Sequence, residues 1–198
     1  MKLYYYTDFA CPFCYVAYRR ALAFAERTGA ALEPVYIEIH PEVPPQGCDR
    51  RMLLSDRQNE EMTAFLARLG EPYGIQPSLG GRLVNSEKAL VLRAWITLHH
   101  PQLTQEYDAM MYDAHSIRHL DIGRDAVLQE LLGTLGLTEP VKTALWDTRA
   151  RRIHENNRFQ ARQEQIRAVP SFRIGRQLLP GLQPLETLLE VYAAEQDI

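Results

Sequence analysis

Two cysteines separated by two residues, Cys11 and Cys14, stand where a strand-like run hands over to a helix-like one, and nothing else in the chain constrains it as much. The run before them, Leu3-Tyr4-Tyr5-Tyr6-Thr7, is rich in aromatic residues that suit a pleated, half-buried surface. The run after them reads as a helix from Pro12 to about Arg27, closed by Gly29, which accommodates the left-handed conformation that ends helices. Pro12 fits the first helical position, where its missing N–H costs nothing, so Cys11 is the expected N-cap. At the helical period, Arg19, Arg20, Glu26 and Arg27 mark a polar stripe, and Cys14, Ala17, Tyr18, Ala21, Leu22 and Ala25 the opposite face. Cys14 is therefore expected against the core and Cys11 at the open end of the helix.

That asymmetry is what reversible disulfide exchange needs. A thiol at a helix N-terminus faces unpaired backbone N–H groups and the positive end of the helix dipole, which favours its thiolate. Cys11 would attack a disulfide, and the sheltered Cys14 would resolve the mixed disulfide by attacking Cys11. Neither Pro12 nor Phe13 carries a cation, so the stabilisation of the thiolate is expected to be modest and the redox potential intermediate, suited to reduction or isomerisation. Half a zinc site is the competing reading, with His40 and Cys48 as further ligands. Cys11 at a helix start beside Pro12 suits redox chemistry better, and no metal is expected.

Composition narrows the class. With 46% hydrophobic residues among 198, the chain can bury one good-sized core, or a core plus a subdomain. No run of 18 apolar residues occurs, so no membrane span is expected. A net charge of −3, with acids and bases interspersed, argues against a nucleic-acid or membrane-surface partner. The chain enters its first strand almost at once, without a secretory pattern, so a cytoplasmic location is the expectation. Three cysteines do not make a disulfide scaffold, and in a reducing compartment a lone CxxC points to catalysis or metal.

Along the chain, Leu32 to His40 alternates as a second strand, which would run parallel to the first and bring His40 to the same rim as Cys11. The Pro/Gly stretch from Pro41 to Cys48 then breaks regular structure. From about Arg51 to Leu137 the reading is helical with no strand: Met52 to Leu69, closed by Gly70; a loop to Gly81; a helix capped by Asn85 or Ser86 to His99; Gln102 to His115; and Arg124 to Leu132. Pro140 opens one long charged helix to about Gln165. Val169 to Ile174 and Gln177 to Leu179 form a hairpin about Gly175-Arg176, and Pro184 opens a last amphipathic helix. An α/β frame with a helical insertion accounts for this order, with residues 1–42 plus 166–198 as the frame and 43–165 as the insertion.

A CxxC after the first strand, a Val-Pro opening the third, and a β-α-β/β-β-α frame resemble the thioredoxin fold, and the helical block between the halves resembles the DsbA family. Asp8-Phe9-x-Cys-Pro-x-Cys-Tyr15, Asn85-Ser86 with Ala89, Asp121-Ile122-Gly123, Val169-Pro170 and Gly181-Leu182-Gln183-Pro184 are similar to the FrnE-type branch, over Leu3 to Tyr192. The resemblance implies a thiol:disulfide oxidoreductase with Cys11 as nucleophile and Cys14 as resolving thiol, and a cis peptide bond at Val169-Pro170. Such a bond would leave the Val169 backbone free to pair with an extended substrate. This chain has Phe13 where the branch often has tryptophan, and Leu90 where many relatives have histidine.

Around these residues lie weaker candidates. Asp8 accepts the Cys11 proton or is a loop carboxylate; His40 influences the thiolate or is a surface histidine; Glu38 is a buried proton shuttle or pairs with an arginine. Phe13, Val169 and Pro170 would contact substrate, with Pro12 behind them. Cys48 reads as a spare cysteine, Arg167 as an arginine near the rim, and Tyr107, Met110, Met111 and Tyr112 as core rather than groove. The expected partners are protein or small-molecule disulfides, with no cofactor beyond the redox-active cysteines and glutathione as a candidate co-substrate; the choice between monomer and homodimer stays open. The alternative function is a glutathione-dependent isomerase or transferase of the kappa, 2-hydroxychromene-2-carboxylate isomerase-like type, in which serine usually replaces the first cysteine.

Overall fold

The computed structural model describes residues 1–196. Its centre is a four-stranded mixed sheet in which the strand nearest the N-terminus lies between the second strand and the last two. Strand β1 (Lys2–Thr7) runs parallel to β2 (Ala31–Tyr36), from Lys2 opposite Ala31 to Thr7 opposite Tyr36. On its other side β1 pairs antiparallel with β5 (Ser171–Ile174), and β5 turns through Gly175, at φ 55°, into β6 (Gln177–Pro180). Between β1 and β2 runs helix α1 (Pro12–Thr28), with Cys11 as its extended N-cap, Pro12 in its first turn and Gly29 at φ 69° closing it. This is the thioredoxin-like α/β frame with inserted helices that the sequence leads one to expect.

The insertion begins with a two-stranded ribbon that the sequence reading missed. β3 (Cys48–Asp49) pairs antiparallel with β4 (Arg82–Leu83), and a single 3-10 turn, Arg50–Met52, stands where a helix was expected to start. Helix α2 (Asp56–Gly70) starts later because Ser55 and Gln58 form a reciprocal capping box, worth about 1 kcal/mol. Then follow α3 (Glu87–His99), α4 (Thr104–Ser116) and α5 (Asp125–Thr134), within a few residues of expectation.

The long helix expected from Pro140 is two helices, α6 (Val141–Leu145) and α7 (Thr148–Gln163). The break falls at Asp147, which is extended and whose carboxylate accepts hydrogen bonds from the Arg149 and Ala150 N–H groups at 2.8 and 3.1 Å. Helix α8 (Leu185–Gln196) packs on α1.

Strand β2 also ends earlier than the alternation through His40 suggests. A parallel strand lasts only as long as its partner. Ile37 N–H still reaches the Thr7 carbonyl at 3.0 Å, but Asp8 then leaves the sheet, so Glu38 and His40 lie beyond the strand.

The helical block is locked onto the frame next to the cysteines. Tyr112 of α4 stacks on Tyr15 and Tyr18 of α1, with ring centroids 5.4 and 5.2 Å apart, and meets Phe9 edge-on at 4.9 Å. Tyr107, Met111 and Tyr112 are fully buried, so they are core rather than groove. Among the described residues no helix is long and apolar enough to cross a membrane.

Candidate active site

Strand β1 delivers Thr7 and Asp8 to the base of the CxxC turn. There the Cys11 N–H donates to the Asp8 carbonyl at 3.2 Å and the Cys14 N–H to the Cys11 carbonyl at 2.9 Å. The Asp8 carboxylate is fully buried and ties three segments together. It accepts from the Ala10 N–H at 3.0 Å, the Ile39 N–H at 2.7 Å and the Ser86 hydroxyl at 3.0 Å. Burial pushes its pKa up to about 6, against the pull of those three donors. These bonds make Asp8 a carboxylate that ties the loop, the feature one of its two readings described.

The two thiols are free and lie near one another without a bond between them. Burial, then the Cys11 sulfur, push the Cys14 thiol well above its usual range, outweighing the Asp8 backbone and the Thr7 side chain. Cys14 is thereby held as a thiol. The expectation of an open Cys11 needs correcting: it is 3% exposed. The Val169-Pro170 segment, with a cis peptide bond, comes up against it, and the Cys11 sulfur lies 3.9 Å from the Val169 carbonyl oxygen. Phe13 stays partly exposed, its ring 6.4 Å from that of Phe65 on α2, and the two form an apolar lip beside Pro12.

The remaining candidates disperse. His40 pairs with Glu42 near the surface at 3.0 Å. Glu38 pairs with the buried His154 at 3.4 Å and with Arg158 at 3.7 Å. Burial raises the Glu38 pKa, but these partners outweigh it and hold the carboxyl below its usual range. Arg167 is exposed, and Cys48 is half-buried on β3. Among the described residues no three His, Cys, Asp or Glu side chains come together as a metal would require.

Two residues absent from the sequence reading belong here. Arg50, in the 3-10 turn after β3, is buried, and its guanidinium donates to the Gly80 and Arg82 carbonyls at 3.2 and 3.0 Å. His115, near the end of α4, is 4% exposed, neighbours Arg50 and Ala10, and has, among the described residues, no hydrogen-bond partner at either ring nitrogen. Its spacing from Met111 and Tyr112 marked a histidine on an apolar stripe; Arg50 left no periodic signal. Three loops converge on Asn85. Asn85 donates to the Val43 carbonyl at 2.7 Å, and a Cβ at Gly123 would stand 2.7 Å from the Asn85 carbonyl oxygen, so only glycine allows the approach.

Asp8 and His115 make opposite demands on pH. Asp8 binds its proton more tightly folded than unfolded, so its contribution to stability grows as pH falls through about 6 and is lost as pH rises. Burial, then Arg50, push the His115 pKa down to about 4, so its contribution is present above the unfolded value of 6.5 and lost as pH falls through about 4. At about 1.4 kcal/mol per pKa unit each amounts to about 3 kcal/mol, and the two largely cancel. His115→Gln is expected to unmask Asp8: from about pH 7 to about pH 4.5, urea unfolding of the variant gains about 2 to 3 kcal/mol relative to wild type. Parallel profiles for the two proteins would refute this.

Comparison with known proteins places this geometry. A family profile described as DSBA-like thioredoxin domain matches residues 2–193. No curated protein matches the sequence. In fold the chain is similar to a probable DsbA oxidoreductase from Streptomyces coelicolor (TM-score 0.83, 20% identity, covering 100% of this chain and 90% of that one). It is also similar to a 2-hydroxychromene-2-carboxylate isomerase (0.71, 16%, 100% and 95%) and to the cytosolic disulfide reductase DsbM from Pseudomonas aeruginosa (0.65, 20%, 98% and 100%).

Proposed function

The chain belongs to the family of DSBA-like thioredoxin domains, which makes it an enzyme of the thiol–disulfide oxidoreductase class, and we propose that Cys11 and Cys14 are the pair through which it works. The observation that carries this is that a sulfur at a helix N-terminus has, near it and unbonded, a second, fully buried thiol whose burial holds it protonated.

The Cys11 thiolate attacks one sulfur of a substrate disulfide. A Cys11–substrate bond forms, the substrate S–S bond breaks, and the departing thiolate takes a proton. Cys14 then gives up its proton and attacks Cys11, forming the Cys11–Cys14 disulfide and releasing the second substrate thiol. Two electrons pass from the dithiol to the substrate; run backwards, the same steps oxidise a dithiol.

Val169 and Pro170, against the Cys11 sulfur, and the Phe13 lip would receive the substrate chain, a protein or small-molecule disulfide. DsbM, similar in fold, has been solved with GSH, and glutathione is the thiol co-substrate we assign, with the cytoplasm as the compartment. Cys14→Ser provides the test: mixed with a protein disulfide, it should accumulate a mixed disulfide at Cys11, visible by mass spectrometry as one adduct per chain. Full turnover without an adduct would instead favour the glutathione-dependent isomerase reading, which needs no resolving thiol.

A further inference from the structure

We propose that Ser86 is a positioning residue for the reaction of Cys11, acting through the Asp8 carboxylate that supports the cysteine turn. The first observation is a bond that Ser86 does not make. It stands as the N-cap of α3, and its carbonyl accepts the Leu90 N–H at 3.0 Å, yet its side chain makes no capping hydrogen bond. Serine at an N-cap ordinarily turns its hydroxyl back onto the free N–H groups of the first turn. Here the neighbouring Asn85 serves the helix start instead, its Oδ1 accepting from the Glu87 N–H at 3.1 Å. Ser86 is 3% exposed, and its hydroxyl donates to Asp8 Oδ2 at 3.0 Å.

The second observation is where that bond leads. Asp8 is fully buried, and its three donors are neutral: the Ala10 and Ile39 N–H groups and this hydroxyl. A buried carboxylate with neutral donors stays charged by a narrow margin, so each donor counts. The ionised form makes the stronger, charge-assisted bond to the Ala10 N–H on Oδ1, and Ala10 is the residue before Cys11. On the same turn the Asp8 carbonyl accepts the Cys11 N–H at 3.2 Å. Ser86 therefore helps to keep Asp8 ionised, and the ionised Asp8 fixes the backbone that presents the Cys11 sulfur.

The groups around Asp8 set its proton balance. Glu38, beyond β2, is a like charge that adds to burial in raising the Asp8 pKa. His115 of α4, beside Ala10, is held neutral by burial and then by Arg50. Glu87, at the start of α3, is exposed, and the thiols of Cys11 and Cys14 belong to the supported turn itself.

The role rests on the proposed function, and its test uses the reduced full chain with oxidised glutathione. Dividing the rate of exchange at Cys11 by its thiolate fraction, read from ultraviolet absorbance, leaves the contribution of positioning. For wild type this quotient should be level from about pH 8 to about pH 7 and fall as pH passes through about 6, where Asp8 gains its proton. In Ser86→Ala, which removes one donor, the fall should begin about one pH unit higher, leaving the variant about threefold slower at about pH 6.5 and nearly equal at about pH 8. Ser86→Thr keeps the hydroxyl and should restore the wild-type profile. A merely structural serine would lower the quotient by one factor at every pH. That result, superimposed profiles, or no rescue by threonine overturns the proposal.

If Ser86→Ala does not fold, Ser86→Gly takes its place with the same expectation, since glycine is tolerated at an N-cap. A wild-type quotient that stays level down to about pH 5 overturns the proposal without any variant. No exchange by wild type at any pH would remove the oxidoreductase reading and this role together, whereas exchange with superimposed profiles removes this role alone.

Discussion

Cys11→Ser is expected to bring dithiol-dependent reduction of a protein disulfide down to the uncatalysed rate. The attacking species is a thiolate, and a serine hydroxyl neither ionises near neutral pH nor forms a bond that the next thiol can exchange. Cys14 cannot substitute. It is fully buried, its pKa is driven up first by burial and then by the Cys11 sulfur, and it is the Cys11 sulfur that lies 3.9 Å from the Val169 carbonyl oxygen. The substitution removes one polarisable atom from a closed site, so folding should survive, and near-native circular dichroism with no turnover is the expected pair of readings. The isomerase alternative predicts otherwise, because serine usually occupies this position there and activates a bound glutathione. Persisting glutathione-dependent activity in Cys11→Ser would transfer the chain to that class.

The second large effect concerns stability. Asp108→Ala should cost about 3 to 5 kcal/mol in urea unfolding, because it strands a buried guanidinium. Arg93 of α3 grips Asp108 of α4 with two bonds, Nε to Oδ1 at 2.5 Å and Nη2 to Oδ2 at 3.1 Å, both side chains nearly out of water. The guanidinium also lies over the ring of Tyr36, 5.1 Å from its centroid, so the pair joins the helical block to the last residue of β2. Replacing both partners with apolar residues, as in Arg93→Met with Asp108→Leu, should recover most of the loss, since the penalty comes from the unpaired charge and not from the missing bridge. Equal destabilisation of single and double variants would refute that account.

What the sequence made legible was local. The Leu3–Thr7 run, Pro12 in the first helical turn and Gly29 in the left-handed conformation each act within a few residues, and all three appear where expected. The exit of β2 was not legible, because it depends on where Asp8 leaves the neighbouring strand, a choice made 31 residues away and sealed by the Asp8–Ile39 hydrogen bond. Asp147 reads in sequence as one more charge on a helix surface, and only its two backbone contacts reveal a cap. Cys11 was placed correctly on its helix, yet its burial comes from Val169 and Pro170, which no periodicity near residue 11 can report. Arg50 carries no pattern that separates it from a surface neighbour such as Arg51, and the spacing that puts His115 on an apolar stripe does not show that its ring lacks a partner; among the described residues, burial without a counter-ion or partner is a property of the assembled chain.

The three-way grip of Asp8 gives the fold a mechanical character. One carboxylate holds the cysteine turn, the segment leaving β2 and the residue that starts α3. A push on the first turn of α3 is therefore transmitted to the sulfur atoms as if through a short rod, without passing through the sheet. Drift in the inserted helices, from a bound partner or a distant substitution, will reach the two cysteines by that route, so the block around the thiols works as part of their mounting.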